Sequence, residues 1–169
     1  SPVVKVRGEL PSEKDLEVLI NLVRQGKLSV AETRARSLVQ EFPNHSLGWK
    51  VLGLVLFRKG KLSEALAACR SAIQINSLDA EVFNVSGSIL VALKKHAEAE
   101  FYFKRAIELN PSFIQAYHNL GNLFLIGEKF ERAATNYRAA ISLDPKNPQG
   151  YNNLGNACGN LDKTEDAKA

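Results

Sequence analysis

Six asparagines and one histidine form the pattern in this chain best suited to binding. Asn119 and Asn122 are three residues apart, and Asn153 and Asn156 repeat the pair 34 residues later. A three-residue step keeps two side chains on one face of a helix. Asn84, His118 and Asn152 make a second series with the same 34-residue step. Asparagine is a mediocre helix former, so its recurrence inside helices calls for a reason. A carboxamide both donates and accepts hydrogen bonds. Amides on adjacent helices can therefore bond in turn to the carbonyls and N–H groups of an extended peptide. Such pairing reads no side chain and suits many sequences. The same amides can instead bond between neighbouring helices, and the residue pattern leaves both uses open.

Little else in the sequence points to chemistry. Neither a Walker pattern nor G-x-G-x-x-G occurs, so no phosphate loop is expected. His45, His96 and His118 lie in different repeats with no histidine or cysteine four residues on, and no metal site is expected. Cys69 falls in the slot held by Phe103 and Tyr137, and Cys158 in the slot of Leu56, Leu90 and Phe124. Both are core positions, too far apart to bridge. Gly155 and Gly159 are four apart, as at a close helix contact, but Gly155 is already explained as a packing glycine. No catalytic set can be nominated, so no enzymatic activity and no cofactor are expected within these residues.

The elements that must carry the asparagines follow from one period. Trp49, Phe83, Tyr117 and Tyr151 are each 34 residues apart. Gly53, Gly87, Gly121 and Gly155 keep that spacing, as do Ala31, Ala65, Ala99 and Ala133. Ala72, Ala106 and Ala140 form another series, and Pro43, Pro111 and Pro145 another, with Ser77 in the second proline slot. Tyr117, Leu120, Gly121 and Phe124 share one helical face. Gly121 permits close approach of a partner helix, and Ala133 supplies its small surface. Asn147-Pro148 predicts an N-cap followed by proline at the first helical position. Asp79 predicts a cap of the same kind. Gly26, Gly60 and Gly127 are expected at the turns within repeats.

These residues resemble the tetratricopeptide repeat, a helix–turn–helix unit of ~34 residues with an aromatic, Leu-Gly, spaced alanines and proline. The resemblance covers Ser12 to Ala169. It divides the chain into repeats at 12–45, 46–79, 80–113, 114–147 and a partial 148–169. The first is the most divergent, with Asp15 in the aromatic slot and Leu19 in the glycine slot. The implied fold is all-α, a right-handed superhelix of antiparallel helix pairs. Its concave groove is lined by the first helix of each repeat. Stacking buries faces that no single unit can bury. Residues 1–11 are expected to be a linker, or a strand packed on the first repeat. The last repeat stops near Ala167-Lys168-Ala169, where a second helix is due. The chain contains no methionine, and a fragment of a longer array is expected.

Phasing also names the groove. The first two repeats place Leu16, Ile20, Leu47, Val51 and Leu54 there; the last two place asparagine and glutamine. The asparagines resemble the ladder of the O-linked N-acetylglucosamine transferase array, although only Asn119 and Asn153 match its slot, with Val51 and Val85 replacing the others. The head of the array resembles those preceding bacterial glycosyltransferase or sulfotransferase domains. Chaperone-tail adaptors of the family hold a terminal carboxylate with lysine, asparagine and arginine. Lys50 fits that clamp, but Leu54, Val85 and Asn119 do not.

Composition narrows the classes further. With 45% hydrophobic and 24% charged residues the chain is an ordinary globular one rather than a disordered one. No apolar run approaches the ~18 residues a membrane helix needs. The net charge of +4 is mild. Basic residues such as Arg34, Arg36, Lys104, Arg105 and Arg138 alternate with glutamates, which suits a solvated face better than nucleic acid. Two cysteines are too few for a disulfide scaffold, so a reducing, cytoplasmic setting is expected. The expected function is a protein-interaction scaffold. Asn84, His118, Asn119, Asn122, Asn152, Asn153 and Asn156 would bind an extended peptide. The alternatives are self-association through the apolar N-terminal groove, giving a homo-oligomer, or substrate recruitment for a glycosyltransferase-type enzyme. Neither a membrane nor a nucleic-acid partner is expected.

Overall fold

The computed structural model describes residues 10–166. Among them the chain forms nine helices: α1 (Glu13–Arg24), α2 (Leu28–Glu41), α3 (Ser46–Arg58), α4 (Leu62–Ile75), α5 (Ala80–Ala92), α6 (His96–Leu109), α7 (Ile114–Ile126), α8 (Phe130–Leu143) and α9 (Pro148–Asp166). Each helix packs on the next, and the described residues hold no strand. The odd helices also touch their odd neighbours, α1 on α3, α3 on α5 and α5 on α7. The odd helices therefore make the inner layer of an α-solenoid.

Glycine sets the spacing within a pair. A Cβ on Gly53 would lie 2.5 Å from Cys69 Sγ, one on Gly87 2.6 Å from Phe103, and one on Gly121 2.5 Å from Tyr137. The opposing helix contributes alanines that are wholly buried: Ala31, Ala65, Ala99 and Ala133. The first repeat reverses the sizes. Leu19 stands in the glycine slot and Ala35 in the slot of Cys69, Phe103 and Tyr137, and both are buried. Total volume is kept, which cores tolerate well.

Short-range hydrogen bonds fix the ends. Ser12 caps α1 by accepting from the Asp15 N–H at 3.1 Å. Asp79 accepts from the Glu81 and Val82 N–H groups at the start of α5. Asn147 accepts from the Gln149 N–H at 3.0 Å, which places Pro148 at the first turn of α9. Between repeats, Asn76, Asn110 and Asp144 accept from the N–H two residues on. Trp49, Tyr117 and Tyr151 donate to the carbonyls of Pro43, Pro111 and Pro145. Phe83 has no donor to offer, and the proline slot six residues before it holds Ser77.

Gly26, Gly60 and Gly127 all stand in turns within repeats, as expected. Gly26 and Gly60 take left-handed conformations, at φ 71° and 75°. The next two such positions are Lys94 at φ 60° and Glu128 at φ 55°. Gly127 lies in the turn, as expected, but the left-handed residue there is Glu128. Gly127 caps α7 at φ −86°, one residue ahead of the 34-residue phase that helix packing imposes.

The first two repeats are also joined by charge. Glu32 is nearly buried and receives Lys59 at 2.6 Å, Lys61 at 2.8 Å and Arg36 at 2.9 Å. Arg36 also pairs with Glu64. At the other end, α9 has 19 residues where α7 has 13. Leu154 and Cys158 are half-buried where their equivalents Leu120 and Phe124 are buried. Residues 1–9 and 167–169, the expected linker or strand and the start of a further helix, lie outside the described residues.

Candidate functional site

The asparagines occupy consecutive inner helices, α5, α7 and α9. Asn119 Nδ2 donates to Asn84 Oδ1 at 2.9 Å, and Gln115 Nε2 donates to Asn119 Oδ1 at 3.0 Å. One helix pair on, Asn153 Nδ2 lies 3.4 Å from His118 Nδ1. The Asn119–Asn84 and Asn153–His118 contacts each join residues 35 positions apart, so the amides tie α5 to α7 and α7 to α9. The use as links between helices, left open by the residue pattern, is thus present.

Burial divides the seven residues. Asn84 is 8% exposed and His118 only 2%. Adjacent helical positions point ~100° apart, so His118 turns into the stack while Asn119 turns toward the inner surface. Desolvation lowers the His118 pKa, and its ring packs 6.1 Å from that of Tyr137. Asn119 and Asn153 are half-buried. Asn122, Asn152 and Asn156 are exposed.

Asn122 is the most closely directed of the exposed amides. The buried Tyr137 hydroxyl donates to its Oδ1 at 2.7 Å. Burial pushes the Tyr137 pKa up to about 12, so the hydroxyl stays protonated and remains a donor. With Oδ1 fixed, the Asn122 Nδ2 hydrogens are turned away from the tyrosine. Asn156 Oδ1 accepts from Asn160 Nδ2 at 2.9 Å. No tyrosine supports Asn156 in that way.

The remaining predicted positions sort by their partners. Lys50, in the clamp-like slot, is held by Asp79 at 3.0 Å and Glu81 at 2.5 Å. Burial disfavours its charge, but the two carboxylates outweigh it and raise its pKa. Val51 is buried and does not line the surface. Leu16, Ile20 and Leu47 line an open hollow of about 420 Å³ with Glu13, Glu17, Asn21 and Arg24. Arg34, Arg36, Lys104 and Arg105 pair with Asp15, Glu32, Glu100 and Glu108. Cys69 is buried, and burial pushes its thiol up to about 11. Among the described residues no group of three His, Cys, Asp or Glu side chains is placed to hold a metal. No helix of the described residues is long and apolar enough to cross a membrane.

The donors of Trp49, Tyr117 and Tyr151 and the turn-forming Asn76, Asn110 and Asp144 were not singled out from sequence. Both sets share the 34-residue spacing, which is the signal that could have found them.

Four family profiles match the chain. Three described as tetratricopeptide repeat cover residues 20–80, 80–113 and 102–134, and one described as TPR repeat covers 121–162. A comparison with curated proteins gives no match. Among solved structures, the MamA protein superposes with a TM-score of 0.77 at 20% identity, over 91% of this chain and 84% of that one. The first TPR domain of Spaghetti (RPAP3), bound to the HSP90 peptide SRMEEVD, superposes with a TM-score of 0.66 at 28% identity, over 69% and 92%. YrrB, described as a TPR protein with an unusual peptide-binding site, gives 0.71 at 19% identity, over 92% and 80%. From residue 20 to residue 162 these profiles run without a gap, and the chain is an array of tetratricopeptide repeats.

Proposed function

We propose that this array is a protein-interaction scaffold that holds an extended peptide along its inner layer of odd helices. Asn119, Asn122, Asn152, Asn153 and Asn156 contact the peptide backbone. Asn84 and His118, being buried, act as supports that fix Asn119 and Asn153. The observation that carries this reading is the orientation of Asn122, an exposed amide whose oxygen is held by a buried tyrosine and whose nitrogen is left to donate outward. Peptide binding by RPAP3 and the peptide-binding site described for YrrB support it. The side chains present disfavour a peptide like the HSP90 peptide bound to RPAP3. Lys50 is already paired with two carboxylates, and Leu54, Val85 and Asn119 lack the clamp chemistry. None of the three similar structures is described as a glycosyltransferase or sulfotransferase, and the proposal does not depend on such a domain.

The test is to pan a random linear-peptide library on the full chain and titrate the selected peptides against asparagine variants. Each neutral hydrogen bond contributes ~0.5–1.5 kcal/mol. Single Asn→Ala changes should weaken binding modestly, and the combined Asn119, Asn122, Asn153 and Asn156 variant severely. Unchanged affinity in a folded combined variant removes the reading and leaves the amides as links between helices.

One observation favours a second reading, self-association. The hollow at Leu16, Ile20 and Leu47 is large and partly apolar. With Val51 buried, the face is smaller than the sequence suggests. Mass measured over a dilution series decides it: a constant monomer mass excludes this reading.

A further inference from the structure

The inner layer has a hollow between α5 and α7, beside the asparagines. Its volume is about 260 Å³, and Val91, Leu123 and Ile126 line it. Its polar atoms come from Ser88, Asn119 and Asn122. Small-molecule sites span ~300–1,000 Å³, so this one has room for little more than a single side chain.

The reason it is open lies in the repeat phase. One repeat earlier, Leu54 holds the slot of Ser88, and Phe57 that of Val91. Both pack against the core, so the chain's own side chains occupy the equivalent space. Ser88 is too small to do so. Its hydroxyl donates to the Asn84 carbonyl at 3.1 Å, which spends its donor within its own helix. What remains is an apolar recess with the outward-donating Asn122 beside it.

We infer that this recess is the specificity pocket of the peptide site, taking one leucine- or isoleucine-sized side chain of the bound segment. This rests on the peptide-binding reading and adds a sequence preference that an amide ladder alone does not impose. The Asn122 amide donates to a backbone carbonyl of the same segment, and Ser88 sets the size that enters. An acidic or lysine side chain is disfavoured, because the lining carries no opposite charge and burying a charge without one is costly.

The experiment uses peptides selected on the full chain from a random library, with two substitutions at one position. Ser88→Leu rebuilds the side chain that closes the slot one repeat earlier. Ser88→Ala removes the hydroxyl and keeps the space. Circular dichroism confirms folding of each. Selected peptides should share a leucine or isoleucine whose change to alanine weakens binding about tenfold or more. Ser88→Leu should abolish that preference and weaken binding by a similar factor, while Ser88→Ala, which keeps the space, retains the preference for leucine or isoleucine. If Ser88→Leu does not fold, Ile126→Ala, which enlarges the exposed wall, should shift the preferred residue to a larger one. Peptides that depend on the asparagines but share no apolar residue overturn the pocket and leave the ladder. Equal binding by wild type and Ser88→Leu does the same. Failure to select any peptide overturns both.

Discussion

A Cβ placed on Gly121 would lie 2.5 Å from Cε1 of the Tyr137 ring, closer than a methyl group can approach without displacing it. Tyr137 is wholly buried and cannot swing out to solvent. Gly121→Ala should therefore destabilise by ~1–3 kcal/mol, the usual cost of overpacking. Gly155 holds the same phase but would meet nothing within 4 Å. There the helix propensity of alanine acts alone, so Gly155→Ala should stabilise by ~0.5–1 kcal/mol. Thermal melts of the two variants should move in opposite directions.

The left-handed turns give a second pair of opposite signs. Lys94 and Glu128 hold positive φ with full side chains, whereas Gly26 and Gly60 hold it without one. A side chain in this conformation costs ~1–2 kcal/mol. Lys94→Gly and Glu128→Gly should recover part of that, less the added freedom of the unfolded chain. Gly60→Ala should lose about 1 kcal/mol although nothing lies near its missing Cβ. Gly127→Ala, at ordinary φ, should be tolerated. Chemical denaturation of the four variants checks the assignment.

How much of this was legible in sequence depends on the length scale. Gly53, Gly87 and Gly121 share a phase because each meets a large group of the paired helix, and one period exposes all of them at once. Asp79 and Asn147 were legible as caps, because capping needs only local chemistry. Gly127 marks its turn, but which residue goes left-handed is set by the packing of α7 on α8, and Glu128 takes the strain. The burial of Asn84 and His118 is likewise a matter of packing. Their slot borders both the surface and the next repeat, and only three-dimensional packing shows that they turn inward. The Tyr137 bond to Asn122 crosses from one helix of the pair to the other and has no counterpart among the described residues of the three earlier repeats, so no periodicity announces it.

Acid stability should depend on Glu32. Hydrogen bonds from Lys59, Lys61 and Arg36 lower its pKa from the usual 4.5 to about 2. A carboxyl whose pKa is lower in the folded state adds stability above its unfolded value and loses it as pH falls through the folded one. The contribution is therefore complete above about 4.5 and gone near about 2. Glu32→Gln should cost about 2 kcal/mol at neutral pH, the scale of hydrogen bonds to a charged group. The gap between variant and wild type should shrink as pH drops through that window. A gap independent of pH would show that Glu32 acts through packing rather than charge.

Tyr137→Phe separates positioning from contact at the proposed site. The ring, which fills the space beside Gly121, is retained, so the core keeps its volume. What is lost is one hydroxyl that donates to Asn122 Oδ1. Asn122 is exposed, and water can satisfy its oxygen. Stability should therefore fall by no more than ~1 kcal/mol. The freed amide then samples several rotamers, only some of which aim its nitrogen at a bound carbonyl. Ordering it on binding costs ~0.5–1.5 kcal/mol, or a factor of about two to twelve in affinity. Asn122→Ala removes the donor outright and should weaken binding at least as much. In a double variant the two changes should not add, because both remove the same directed hydrogen bond. Additive losses would show that Tyr137 and Asn122 serve binding independently.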